Sequence, residues 1–212
     1  MPGGVCPCET AAVLLTSVLD YVGVATFAMV STVAARDRQL DLVSAALLGT
    51  VAGIGGGTLR DLVLDRTVFW LRSPGYLYVC VAAASLVWFV GAGPRRRQTL
   101  LFLDALGISA FAVVGALIAT DEHMSAPVAV VMGILTATCG GILRDVLAGE
   151  RASLVRKDIY ISVAMLSALV FVVAVRLGLP QVSAALAGAA MGAVLRILAI
   201  TRRWQMPDPP GT

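Results

Sequence analysis

The sequence predicts an all-α membrane protein: seven transmembrane helices, six of them forming two inverted three-helix repeats, with the second and fifth helices kinked at glycines. Three observations carry this. Of the 212 residues, 58% are hydrophobic and only 14% charged, and the mean hydropathy is +0.89. Ordinary soluble domains lie well below this apolar content. The apolar residues fall into runs of about 20, the length an α-helix needs to cross a bilayer. A glycine-rich stretch ending in Arg-Asp then occurs twice, as Gly53-Ile54-Gly55-Gly56-Gly57-Thr58-Leu59-Arg60-Asp61 and as Thr138-Cys139-Gly140-Gly141-Ile142-Leu143-Arg144-Asp145.

The spans are expected at approximately 12–34, 40–64, 76–93, 99–119, 125–148, 159–177 and 181–200. The start, Met1-Pro2-Gly3-Gly4, lacks a basic n-region. No cleaved signal peptide is expected, so the first run stays as a membrane helix. Short polar connections separate the runs, such as Arg36-Asp37-Arg38, Arg66 to Arg72 and Pro94-Arg95-Arg96-Arg97. Residues 1–212 read as one membrane domain. Repeat one covers about 12–93 and repeat two about 99–177. The seventh helix covers about 181–200, and a polar, Pro-rich tail covers 202–212.

Basic residues set the orientation. With the N-terminus outside, the cytoplasmic connections hold Arg36, Arg38, Arg95, Arg96, Arg97, Arg151, Arg156, Lys157, Arg202 and Arg203. The outer connections hold Arg66, Arg72 and Arg176. Ten against three favours a multi-pass protein of the bacterial inner membrane, N-terminus out and C-terminus cytoplasmic. Arg196, near the inner end of the last span, is expected to snorkel to the surface. The small net charge of +3 is clustered between spans, which is a topology signal and excludes a nucleic-acid footprint. The chain has four cysteines and one histidine, too few ligands for a structural zinc site. Cys80 and Cys139 read as small packing residues, and Cys6 and Cys8 lie near the terminus.

The repeat has an offset of 84 residues, the difference between Arg144 and Arg60. The same offset relates Asp20 to Asp104, Gly23 to Gly107, Phe27 to Phe111 and Tyr76 to Tyr160. Three spans per repeat is an odd number, so the second copy must insert upside down. Transport proteins with a pseudo-two-fold axis in the membrane plane have this form.

Two readings compete for the glycines. Close helix packing accounts for Gly49, Gly53 and Gly133, which have small-residue spacing. Consecutive glycines cover several faces of a helix, which favours a kink at Gly55, Gly56 and Gly57 and at Gly140 and Gly141. Backbone carbonyls freed there would be cation ligands. Neighbours on a helix point about 100° apart, so Arg60 is not expected to pair with Asp61. Arg60 is instead expected to face Asp20, and Arg144 to face Asp104, with the exchanged pairing as the alternative. Asp61 and Asp145 are then left nearer the water path. Four embedded acids against two bases leave two excess negative charges, which favours cations. Thr58, Thr50, Thr136 and Thr138 supply hydroxyls for permeation, or bond their own helix backbone.

Two three-helix units, each with GG-x-LRD after an apolar helix, plus a seventh helix resemble the bacterial branch of the trimeric intracellular cation (TRIC) channels. The resemblance covers about residues 10–203. It implies a homotrimer in the lipid bilayer, with one hourglass pore per protomer between the kinked second and fifth helices. It implies passage of K⁺ and, to a lesser extent, Na⁺, with no resident cofactor. The pore residues carried over are Gly55, Gly56, Gly57, Gly140 and Gly141, with Arg60, Asp61, Arg144 and Asp145 beside the pathway. The animal members' Lys-Glu-Val stretch is absent here, where Arg60-Asp61-Leu62 stands. The competing function is a secondary transporter of a small amino acid such as glycine, its carboxylate near Arg60 or Arg144. An enzyme is not expected, since the chain offers no Ser/His/Asp set and no metal cluster.

Overall fold

The computed structural model describes residues 7–91, 94–149, 159–202 and 204. Cys6, Arg151, Arg156, Lys157, Arg203 and most of the tail lie outside the described residues. The described chain is helical: α1 (Pro7–Asp37), α2 (Leu42–Val63), α3 (Phe69–Arg72), α4 (Gly75–Val90), α5 (Pro94–Asp121), α6 (Ala126–Leu147), α7 (Ile161–Arg176) and α8 (Gln181–Arg202). Among the described residues, five helices are long and apolar enough to cross a membrane: α1, α2, α5, α6 and α8. The remaining two apolar helices, α4 and α7, have 16 residues each. The connection from Arg66 to Arg72 holds the short helix α3, which the hydropathy pattern does not reveal.

Local sequence explains the helix ends. Asp41 caps α2, its side chain accepting from the backbone N–H of Ser44 at 2.7 Å, as short carboxylates do at this position. That bond holds the exposed Asp41 carboxyl below its ordinary range. Pro127 sits in the first turn of α6, where no helical donor is lost. Gly91 ends α4 with φ of 80°, which suits a residue without Cβ. Arg36 donates to the carbonyls of Val87 and Trp88 at 3.1 and 2.9 Å, satisfying the otherwise orphaned end of α4. Its guanidinium also lies 5.5 Å from the Trp88 ring.

The packing repeats the 84-residue offset. α6 begins and ends 84 residues after α2. One core cluster joins Val24, Phe27 and Ala28 of α1 to their equivalents Ile108, Phe111 and Ala112 of α5. Tyr76 and Tyr160 complete it, and Phe27 stacks on Phe111 at 5.3 Å. Contacts across the halves are reciprocal. Gly23 leaves room for Phe111, and Gly107 leaves room for Thr26 and Phe27. Gly56 lies against the Thr136 carbonyl, and Gly140 lies against the Ala52 carbonyl. α1 and α5 form the centre, α2 and α6 pack on one another, and α8 packs on α5 and α7. Large apolar side chains such as Val43, Tyr78 and Phe89 are exposed on the outside, the surface a lipid solvent requires.

This packing gives the glycines a role in close approach. α2 and α6 run as continuous helices through Gly55-Gly56-Gly57 and Gly140-Gly141. No unwound segment interrupts either helix, so these carbonyls lie within helix. Here the glycines serve approach: a Cβ at Gly56 or at Gly140 would collide with backbone of the facing helix.

Candidate functional site

Asp20, Arg60 and Asp61 meet at the C-terminal end of α2, and each is buried. Arg60 is only 1% exposed, which for a charged residue demands partners. Its Nε donates to Asp61 Oδ1 at 2.8 Å, and its Nη1 lies 3.6 Å from Asp20 Oδ1. The predicted facing of Arg60 and Asp20 is therefore present as an ion pair. The predicted separation of Arg60 from Asp61 is not. A guanidinium sits at the end of a long stem and folds back along the helix, so the 100° between neighbouring Cβ atoms does not keep the charges apart.

Asp61 is held from its other side. Its Oδ2 accepts from the backbone N–H of Phe69 at 2.8 Å, fixing α3 onto the end of α2. The Phe69 ring fills the space left by Gly57, where a Cβ would stand 2.6 Å from its Cε1. It lies 5.6 Å from the Arg60 guanidinium and edge-on to Tyr76 at 4.6 Å. Tyr76 stacks on Tyr21 at 4.1 Å. An aromatic wall thus shields the Arg60 charge and adds cation–π attraction.

The second cluster repeats the Arg-Asp contact of the first, with different surroundings. Arg144 Nε donates to Asp145 Oδ1 at 2.9 Å. Among the described residues, Asp104 is buried without an ion pair to Arg144 like the one between Asp20 and Arg60. No aromatic residue occupies the position equivalent to Phe69, which is Ser153, outside the described residues. Tyr160 instead presents its hydroxyl to Gly141, where a Cβ would stand 2.9 Å away. Arg196 of α8 lies 5.2 Å from the Tyr160 ring and is 8% exposed. The expected snorkelling of Arg196 is corrected: the side chain is buried, with the Tyr160 ring facing its guanidinium. Among the described residues, the buried charges are four acids, Asp20, Asp61, Asp104 and Asp145, and three bases, Arg60, Arg144 and Arg196.

The threonine hydroxyls bond their own helices. Thr50, Thr58, Thr136 and Thr138 donate to the carbonyls of Ala46, Ile54, Met132 and Ile134 at 2.7–2.8 Å. Thr58 also accepts from Trp70 Nε1 at 3.0 Å, a second tie between α2 and α3. Gly55 receives the side chain of Leu143 from the facing helix.

A cavity of about 750 Å³ reaches the first cluster, lined by Asp20, Arg60, Asp61, Phe69 and Tyr76. Its rim carries Arg66, Arg72, Asp121 and Gln181. Arg66 pairs with Glu122, and Gln181 Nε2 donates to Asp121 Oδ1 at 2.7 Å. The rim thereby joins the loop after α2, the end of α5 and the start of α8. The arrangement brings a polar, charged space against buried carboxylates inside an apolar helical body. Such a place can bind or pass a small charged solute. Sequence reasoning missed Phe69 and Arg196. The one available signal was positional: a Phe-Trp pair just after the Arg-Asp motif, and an arginine within the last apolar run.

Comparison with known proteins gives the family. A family model described as "Glycine transporter" matches twice, at 17–92 and 101–176. Both ends of the second match are displaced by 84 residues (101 − 17 and 176 − 92). The UPF0126 inner membrane protein YadS of Escherichia coli strain K12 is 34% identical over 195 residues, covering 90% of this chain and 93% of its own. The crystal structure of the TRIC trimeric intracellular cation channel orthologue from Rhodobacter sphaeroides is 40% identical. It superposes with a TM-score of 0.84, covering 89% of this chain and 98% of that one. The chain is a bacterial member of the TRIC family. A second TRIC cation channel structure, 27% identical, gives a TM-score of 0.83 over 92% of this TRIC-family chain. The resemblance carried by the two LRD motifs therefore holds across nearly the whole fold.

Proposed function

We propose that this TRIC-family protein is a potassium-permeable channel for monovalent cations, with one pathway per protomer between α2 and α6. The observation that supports it most is the pair of buried charged clusters flanking the α2–α6 crossing, each with two carboxylates. A net excess of buried negative charge favours a cation over an anion at such a place. Asp20, Asp61, Asp104 and Asp145 face the permeant K⁺ or Na⁺, while Arg60 and Arg144 hold the carboxylates in position. Gly55, Gly56, Gly57, Gly140 and Gly141, with Thr58 and Thr138, shape the constriction by close approach.

In this reading the whole chain is one membrane domain. α4 and α7 complete a set of seven spans, a short span being accommodated by local thinning of the bilayer. The two halves insert with opposite orientation, which the reciprocal contacts of Gly56 with Thr136 and of Gly140 with Ala52 support. The Lys/Arg bias supports N-terminus out and C-terminus in. The Rhodobacter relative is described as a trimeric channel, and a homotrimer is proposed here as well.

One observation favours a second reading, a carrier of a small amino acid. Arg60 Nη1 and Asp20 Oδ1 face one another at 3.6 Å without a hydrogen bond, beside a cavity of about 750 Å³. They would suit a carboxylate and an ammonium. The family model's description points the same way. Proteoliposomes separate the two. Rubidium uptake down a K⁺-loaded gradient, indifferent to glycine, is the expected result. Saturable glycine uptake without rubidium uptake would reject the channel.

A further inference from the structure

We infer that the groove between the start of α6 and the end of α7 is a phospholipid site. It takes one acyl chain, and Arg176 at its rim takes the phosphate of the same lipid. The inference needs only that the chain spans a bilayer and is independent of the channel reading.

The groove has a volume of about 310 Å³ and is lined by Pro127 and Val130 of α6 and by Leu169, Val172 and Val173 of α7. That is the low end for a small-molecule site, about 300–1,000 Å³, and suits a stretch of hydrocarbon better than a polar headgroup. Arg176, its charged lining residue, ends α7 and is exposed. It forms no ion pair with another described residue, so its charge is open to a lipid phosphate. α7 has 16 residues, which give about 24 Å of helix against about 30 Å of bilayer hydrocarbon. A helix this short draws the bilayer surface toward its ends, which brings phosphates to Arg176. Leu177 and Leu179, just beyond the helix, are exposed apolar side chains at the same edge.

The 84-residue repeat shows what the groove lacks. Trp88 stands at the position equivalent to Val172 and packs against Ala35, Ala45, Leu48 and Ala148. Arg36 lies over the Trp88 ring and donates to the carbonyls of Val87 and Trp88. Thr120 stands at the position equivalent to Arg36, and its hydroxyl donates to the Ala116 carbonyl of its own helix. The second half has neither the indole nor the guanidinium that fill this corner of the first half. In a bilayer, apolar side chains gain nothing by hiding from lipid, and association is driven by packing. An apolar space open to lipid leaves its van der Waals contacts unmade until a chain enters it. The acyl chain takes the place of the indole.

The test is native mass spectrometry of the delipidated full chain titrated with phosphatidylglycerol, alongside Val172→Trp, Val173→Phe and Arg176→Gln. Val172→Trp introduces the residue of the first half. Val173→Phe, at an exposed position, fills the groove from its lipid side and carries the test should Val172→Trp fail to fold. The wild type is expected to bind one lipid per protomer more tightly than any further lipid, and both filled variants are expected to lose that event. Arg176→Gln is expected to weaken it about fivefold, the effect of one arginine near a lipid phosphate. Binding of diacylglycerol, which lacks the phosphate, is expected to be the same in Arg176→Gln and the wild type. Phosphatidylglycerol is also expected to raise the melting temperature of the wild type and not of the filled variants. Retention of the tight event in either folded filled variant would overturn the site. An Arg176→Gln protein that binds phosphatidylglycerol as the wild type does would overturn the phosphate contact and with it the proposal. Disulfide formation between copies of an otherwise cysteine-free Val173→Cys variant in membranes would put a second protomer on the groove and overturn the lipid site.

Discussion

Gly56→Ala separates close packing from kinking. A helix that relies on glycine to bend gains stability from alanine, by about 1 kcal/mol of helix propensity. A helix that relies on glycine for approach loses it. The added methyl at Gly56 meets the Thr136 carbonyl, which is backbone of α6 and cannot rotate away. Overpacking costs about 1–3 kcal/mol where side chains adjust, and more where they cannot. Against the propensity gain, a net loss of about 2 kcal/mol or more is expected. For a chain of this size that is roughly 2–4 °C of melting temperature per kcal/mol. Gly140→Ala meets the Ala52 carbonyl by the reciprocal contact and is expected to lose a similar amount. The two methyls separate the same pair of helices, so the double variant is expected to lose less than the sum of the singles. Gly49→Ala is the internal control, since its Cβ would stand 3.0 Å from the Ala28 carbonyl and needs only a small adjustment. The assay is thermal unfolding in detergent followed by size-exclusion chromatography. A Gly56→Ala protein as stable as the wild type, or more so, would refute the packing account.

Three further outcomes are expected. Arg36→Ala removes two bonds to the end of α4 and should cost about 1.5–3 kcal/mol, read as a lowered melting temperature that Arg36→Lys recovers only in part. Phe69→Ala empties the space beside Gly57; because Phe69 is only half-buried, the loss should lie at the low end of about 3–5 kcal/mol, with the α2–α4 connection becoming sensitive to limited proteolysis. The Asp41 carboxyl has a depressed pKa in the folded state, so its contribution is present above the usual carboxylate range and disappears as pH falls through the depressed value. Asp41→Asn should remove that acid-side slope, measured as amide exchange of the first turn of α2 against pH.

The fold was legible because bilayer length and an 84-residue self-similarity are written directly into the chain. Helix α2 and its equivalent α6 fall within about two residues of the hydropathy boundaries. Helix α3 was hidden because four residues give no period, and it forms through Asp61 accepting from Phe69 and Trp70 donating to Thr58. The buried acids and Arg60 were legible because charge inside an apolar run has few explanations. Their partners were less so. Sequence spacing treats Arg60 and Asp61 as pointing apart, whereas the reach of a guanidinium overrides the angle between adjacent residues. Arg196 was misplaced because a position near a helix end permits both snorkelling and burial, and the Tyr160 ring that faces it is far away in sequence. The glycines were recognised as special, but pattern alone does not distinguish a bend from a close approach. The carbonyls of Thr136 and Ala52 show the close approach at Gly56 and Gly140.

The most direct test of the central claim, a cation pathway past these buried carboxylates, is planar-bilayer recording of the purified protein in a KCl gradient, with Asp61→Asn and Asp145→Asn alongside. The account predicts unitary steps reversing near the K⁺ equilibrium potential, with conductance or selectivity altered by both substitutions. Steps that reverse near the K⁺ potential but are unchanged in both variants would contradict the pathway, and steps reversing near the Cl⁻ potential would contradict the cation channel itself.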